Sequence, residues 1–261
     1  MPKLAANLTM LFTELPFLHR FAAAAAAGFR GVEYMSPYEH EPELLAERLQ
    51  TAGLEQVLYN LPVGDWARGD RGIACDPSRV GEFQDSVGSA LAYARTLRCT
   101  RLNCLAGRVP ENVSVERAEA TLVENLRFAA PALAAAGITL LLEAVNTKDV
   151  PGFLVSTTRQ AVRILDAVGT PHLRYQYDIY HMQRMEGELA ETLRAFLPRI
   201  GHVQLADNPG RHEPGTGEIC YEFLLPLLDR LGYEGWVGCE YKPLTTTEAG
   251  LGWITRCAAP I

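Results

Sequence analysis

The chain keeps one rhythm from end to end: a short apolar or β-branched run, then Gly, Pro or polar punctuation, then an amphipathic stretch with helical spacing. Strand candidates fall at 4–11, 31–35, 54–61, 101–107, 138–146, 173–181, 200–207 and 235–243. Helix candidates fall between them at 17–27, 41–52, 78–97, 115–136, 157–168, 189–197 and 221–231, with a last one at 246–257. Eight units in 261 residues give about 33 residues per unit, the size of a βα repeat. Eight consecutive βα units predict an α/β fold, the closed (β/α)8 TIM barrel, as a single domain over residues 1–261. A doubly wound open sheet is the competing architecture, and no GxGxxG follows the first strand to support it.

Composition narrows the function classes. The net charge is −7, so the chain lacks the electrostatic footprint of a nucleic-acid binder. Six scattered cysteines without a CxxC pair read as reduced thiols of a cytoplasmic protein. Asn7, Thr9 and Thr13 interrupt the first apolar run, which argues against a signal peptide. The apolar stretch from Phe128 to Leu142 is broken by Pro131, Gly137 and Thr139, too short for the roughly 20 residues of a membrane span. The expected partner is a small molecule, with neither nucleic acid nor membrane; a homo-oligomer is left open. The Ala22–Ala27 run reads as a close-packed helix. The connection from Pro62 to Asp76, with Trp66 and Arg71 as candidate lid residues, is about twice the usual βα length, a mark of functional loops.

In such barrels the chemistry sits at the carboxyl ends of the strands. Four late strands end in an oxygen ligand: Glu143, Asp178, Gln204 and Glu240. Their separations of 35, 26 and 36 residues each approximate one βα unit, which places them at similar height around one mouth. Each lies in an otherwise apolar run. Three carboxylates buried together repel, by about 4 kcal/mol per pair at 4 Å in an effective dielectric of 20, and a divalent cation reverses that sign. Oxygen donors without thiolate favour Mg²⁺ or Mn²⁺. Glu143 and Glu240, three strands apart, can then face each other across the ion and carry protons to and from a chelated substrate.

Several segments resemble a known family. GFRGVE (28–33) resembles the opening of the xylose-isomerase-like TIM barrels. The segments 60–75, 175–189, 202–219 and 235–243 resemble the hydroxypyruvate-isomerase branch more closely, and the likeness runs almost end to end. The resemblance implies that Glu143 and Glu240 are the catalytic acid/bases and that Glu143, Asp178, Gln204 and Glu240 hold the metal. Gln204 stands where the related sugar epimerases often have His, which favours the isomerase branch. The implied reaction interconverts hydroxypyruvate and 2-hydroxy-3-oxopropanoate through a cis-enediol. A 2-oxo-tetronate isomerase of the same branch is the nearest alternative, and a ketose 3-epimerase a more distant one. A DNA-repair endonuclease of the superfamily would need several His ligands and a positive surface.

The 2-oxo acid implied as substrate carries a carboxylate. Arg211 is the first candidate to bind it in bidentate fashion, against the alternative of a loop-ordering ion pair with Glu213 or Glu218. His181 resembles the substrate-binding His of related epimerases. Lys242 follows Glu240 at strand period and should share its side, beside the ion or offsetting the acidic mouth. His202 shares a face with Gln204 one layer lower and reads as core support, while His19, His40, His172 and His212 read as structural.

Overall fold

The computed structural model describes residues 1–258; positions 259–261 of the expected domain lie outside the described residues. Eight parallel strands close into a barrel in sequence order: β1 (Lys3–Asn7), β2 (Gly31–Glu33), β3 (Glu55–Asn60), β4 (Arg101–Cys104), β5 (Thr139–Glu143), β6 (Leu173–Asp178), β7 (Ile200–Leu205) and β8 (Trp236–Cys239). The β1–β8 ladder, which runs from Lys3 opposite Trp236 to Ala6 opposite Cys239, completes the ring.

Outside the barrel lie α1 (Arg20–Ala26), α2 (Pro42–Ala52), α3 (Val80–Leu97), α4 (Val115–Ala134), α5 (Thr158–Val168), α6 (Ile179–Met185), α7 (Leu189–Phe196), α8 (Tyr221–Arg230), α9 (Thr247–Gly250) and α10 (Gly252–Ala258). Their ends follow local chemistry. Ser114 and Thr157 cap α4 and α5 by accepting from the backbone N–H of Arg117 and Gln160. Gly53 and Gly169 terminate α2 and α5 in the left-handed region, at φ of 66° and 73°. The Phe128–Leu142 stretch divides between α4 and β5, and no helix among the described residues is long and apolar enough to cross a membrane.

The barrel interior changes character along its axis. Its lower part is apolar: Ala5, Val57, Leu141 and Trp236 pack together. The backbone must pass close to these groups at Gly31, where a Cβ would lie 2.7 Å from Val57 and 2.8 Å from Trp236. The upper part is polar, with buried polar side chains from β1 to β7 and from Glu240 just past β8.

Every strand ends one to four residues before its expected limit, and two of these ends position the site. The sixth strand was expected to run to residue 181 but stops at Asp178, because the Asp178 carboxylate caps α6 by accepting from the His181 N–H at 3.1 Å. The aromatic run Tyr177–Tyr180 suits either conformation, and the cap decides. The first strand, expected to run to residue 11, ends at Asn7, whose carbonyl accepts from Leu11 N–H and whose side-chain oxygen accepts from Thr9 N–H.

Candidate active site

The carboxyl ends of the strands open into a cavity of about 630 Å³, lined among others by Glu143, His181, Gln204, Arg211, Glu240 and Lys242. Glu143 closes β5 and Asp178 closes β6; Gln204, next to last in β7, pairs in register with Asp178. Glu240 follows β8 directly, and its N–H donates to the Leu205 carbonyl. The four expected ligands therefore converge on one end of the barrel.

Glu143, Asp178 and His181 present ligand atoms all within 4.8 Å of one another. The two Asp178 oxygens divide their duties: Oδ1 caps α6, whereas the buried Oδ2 accepts no hydrogen bond and is left facing the cluster. His181 Nε2 lies 3.7 Å from that oxygen and 3.8 Å from Glu143 Oε1. A cation at this point would answer an unpartnered buried carboxylate oxygen, and the two carboxylates suit a hard divalent ion. Glu143 also accepts from Asn103 Nδ2 at 2.8 Å.

Gln204 is held from both ends. Its Oε1 accepts from Gln176 Nε2 at 2.7 Å and its Nε2 donates to Glu33 Oε1 at 2.8 Å, leaving one oxygen lone pair for a ligand.

Arg211 makes neither of the loop-ordering pairs with Glu213 or Glu218 that would have kept it from the cavity. Its Nη2 donates to Glu240 Oε2 at 2.7 Å and lies 3.6 Å from Asp178 Oδ2, with its guanidinium 5.2 Å from the Tyr180 ring centroid. The loop that aims it there is folded around Asp207, whose carboxylate accepts from the backbone N–H groups of Asn208, Gly215, Thr216, Gly217 and Ile219. Lys242 lies past the end of β8, is exposed, and still lines the cavity.

Burial and like charge dominate the electrostatics. Burial, reinforced by Glu240 and Asp178, lifts the Glu143 carboxyl well above the usual carboxylate range. Burial also pushes Glu240 up to about 8, against the pull of Arg211. His181 is pressed down to about 4, chiefly by burial, so the imidazole is neutral at physiological pH. Burial opposes the Arg211 charge, but Glu240, Asp178 and Glu143 overcome it and keep its pKa above the ordinary value. The site thus holds two carboxyls whose proton affinity is raised by burial, beside a fixed cation.

The family profile described as "Xylose isomerase-like TIM barrel" matches residues 21–257. The chain belongs to that family. Hydroxypyruvate isomerase of Escherichia coli (strain K12) is 55% identical over 254 residues, covering 97% of this chain and 98% of the relative. A 2-oxo-tetronate isomerase of Cupriavidus necator is 47% identical with the same coverage of both chains. A crystal structure titled AP endonuclease, family 2, from Brucella melitensis superposes with a TM-score of 0.96 at 44% identity, covering 98% of each chain. This xylose isomerase-like barrel is an enzyme, and the Escherichia coli and Cupriavidus relatives are both named as isomerases.

Sequence reasoning missed half of the polar ring of this family member. Asn7, Glu33 and Asn60 close the first three strands, Asn103 is next to last in β4, and all four are buried. Glu33 is the hub: it accepts from Asn7 Nδ2 at 3.0 Å and Gln204 Nε2 at 2.8 Å, and its Oε2 lies 2.7 Å from His202 Nε2. His202 does support the core, through this bond. The strand-end inspection that found the late ligands would have found these residues too, had it been applied to the first four strands.

Proposed function

We propose that this enzyme interconverts hydroxypyruvate and 2-hydroxy-3-oxopropanoate by proton transfer between adjacent carbons. The observation that carries the reading is the pair of buried carboxyls, Glu143 and Glu240, lining one cavity with Glu240 held near pH 8. One takes a proton from C3 of hydroxypyruvate and the other returns one to C2, while the O3 hydroxyl proton passes to O2 by way of a cis-enediol. The high proton affinity of both carboxyls suits this exchange, because each must be able to bind and release a proton at the working pH.

Glu143, Asp178, Gln204 and Glu240 would hold a divalent ion, Mg²⁺ or Mn²⁺, which when bound polarises the substrate carbonyl and stabilises enediolate charge. His181 offers an N–H toward the Glu143 and Asp178 carboxylates and so toward a substrate oxygen held there. Arg211, already set between Glu240 and Asp178, binds an oxygen at the reacting end of the substrate and keeps Glu240 oriented. Lys242 adds positive charge at the mouth. The six free thiols, five of them buried, fit the reducing cytoplasm as the compartment.

A four-carbon 2-oxo-tetronate is the second reading, favoured by the 47% identity to the Cupriavidus enzyme and by a cavity of about 630 Å³ that exceeds the needs of a three-carbon acid. DNA hydrolysis gains no support from the site. Among the described residues one group of three His, Cys, Asp or Glu side chains is placed to hold a metal, and the chain is acidic. The deciding experiment is a coupled assay of isomerisation with hydroxypyruvate beside 2-oxo-tetronate, each with and without chelator. Higher kcat/KM on hydroxypyruvate, lost on chelation and restored by Mg²⁺ or Mn²⁺, supports the reading. Preference for the four-carbon acid replaces it with the second.

A further inference from the structure

The connection from β3 to α3 carries a guanidinium to which the mechanism above gives no role. Arg71 lines the same cavity as Glu143 and Glu240. Its guanidinium lies over the Trp66 indole, 3.6 Å from the ring centroid, and its Nη1 donates to the carbonyls of Trp66 at 3.2 Å and Asp70 at 2.6 Å. These contacts fix the side chain without supplying negative charge.

The acid next to it is engaged elsewhere. Asp70 Oδ2 accepts from Arg79 Nη1 and from the Asp65 N–H, both at 2.7 Å, and this clamp shapes the loop. Among the described residues Arg71 forms no ion pair, and its Nε and Nη2 make no hydrogen bond. Burial and the neighbouring Arg108 guanidinium both disfavour its charge, with Asp70 opposing from a distance. The other guanidinium in the cavity, Arg211, is committed to Glu240 and Asp178. Lys242 is an exposed ammonium without the planar fork that matches a carboxylate. Arg71 is therefore the cavity cation that is preorganised, unpaired and free along the edge that makes bidentate contacts.

We propose that Arg71, braced on Trp66, binds the carboxylate of the substrate and makes the enzyme selective for 2-oxo acids over neutral hydroxy-carbonyl compounds. The identity of the substrate rests on the isomerase reading, whereas carboxylate binding at Arg71 does not. Three- and four-carbon acids both present this group, so Arg71 selects the class of substrate and the remaining cavity wall selects its length.

The test compares wild type with Arg71→Met, Arg71→Lys and Lys242→Met on hydroxypyruvate and on dihydroxyacetone, which replaces the carboxylate with a hydroxymethyl group. Arg71→Met should raise KM for hydroxypyruvate by about ten- to hundredfold, the loss of a charge-assisted hydrogen-bonded pair, with kcat and the rate on dihydroxyacetone little changed. Arg71→Lys, which keeps the charge and the stack but loses the fork, should fall between. Calorimetric binding of glycerate, a three-carbon carboxylate that cannot isomerise in this way, gives a readout independent of turnover; wild type should bind it and Arg71→Met should not. Unchanged hydroxypyruvate KM in Arg71→Met, equal or absent glycerate binding in both proteins, or loss of selectivity in Lys242→Met instead would overturn the proposal. A wild type that binds glycerate through Arg71 but isomerises neither compound would reject the isomerase reading and keep the site.

Discussion

Asn146 Nδ2 lies 2.6 Å from His181 Nδ1, and this contact settles which face of the imidazole meets the carboxylates. The Asn146 amide is oriented by its own loop, since its oxygen accepts from the N–H groups of Lys148 and Asp149. Its nitrogen must therefore donate, His181 Nδ1 must accept, and the proton of the neutral ring resides on Nε2. An Nε2–H directed at Glu143 and Asp178 makes His181 a donor toward the cluster, in keeping with the proposal that Gln204 rather than this ring serves as a ligand.

Removing the constraint should therefore cost activity more than stability. Asn146→Ala frees the ring to adopt the other tautomer, and kcat/KM for hydroxypyruvate should fall about tenfold, at the low end of losses from residues that orient site histidines. The melting temperature should drop by only a few degrees. Steady-state kinetics beside a thermal melt separate the two effects, and a fully active variant would show that His181 needs no fixed tautomer.

The two carboxyls assigned to proton transfer in the proposed reaction predict opposite changes in rate and stability. Glu240→Gln removes a proton carrier and should abolish measurable turnover while the circular dichroism spectrum is retained. Glu143→Gln should also be inactive. Because burial and the charges of Glu240 and Asp178 disfavour the Glu143 carboxylate, an amide of the same shape relieves that cost. The metal-free Glu143→Gln protein should melt at or above wild type at pH 8; a clear drop would mean the carboxylate is structurally required.

A third prediction concerns the hub below the site. A Cβ at Gly238 would lie 2.3 Å from Glu33 Oε2, and the carboxylate cannot retreat without breaking its bonds to Asn7, His202 and Gln204. Gly238→Ala should destabilise the fold by about 2 kcal/mol, typical of overpacking in a filled interior. It should also lower activity, because Gln204 loses the partner that fixes its amide. A variant with unchanged melting and kinetics would show that Glu33 can move freely.

These relationships mark how far the residue pattern could be read. The eight strands were legible because apolar runs and amphipathic helices alternate at βα spacing, and Glu143, Asp178 and Glu240 were legible because a carboxylate inside an apolar strand is costly and conspicuous. Asn7, Asn60 and Asn103 carry the weaker signal of a strand-end amide, which stands out less than a buried charge, and Glu33 closes a strand of only three residues. The pairing of Arg211 with Glu240 was illegible for a different reason. It depends on a loop wound around Asp207, and five backbone N–H groups converging on one carboxylate leave no periodic trace.

The last prediction joins pH to metal binding. Glu240 is held at about 8 and Glu143 also sits high, so both keep protons in the folded state at pH values where the unfolded chain has lost them. With more protons bound by the folded form, the stability of the metal-free protein must fall as pH rises from the ordinary carboxylate range to about 8. His181, held down to about 4, has the opposite effect: below its ordinary value near 6.5 the unfolded chain binds the extra proton, so stability declines as pH falls. The unfolded chain's histidine is still half protonated at about pH 6.5, so its opposing slope fades only by about pH 7.5, and from there to pH 8 the carboxyls dominate. Thermal melts of chelated protein should show a falling melting temperature across that interval. A divalent ion displaces the same protons, so Mg²⁺ or Mn²⁺ should raise the melting temperature more at pH 8 than at pH 6.5. An ion effect independent of pH, or a chelated protein that gains stability toward pH 8, would mean that these carboxyls are not the ligands.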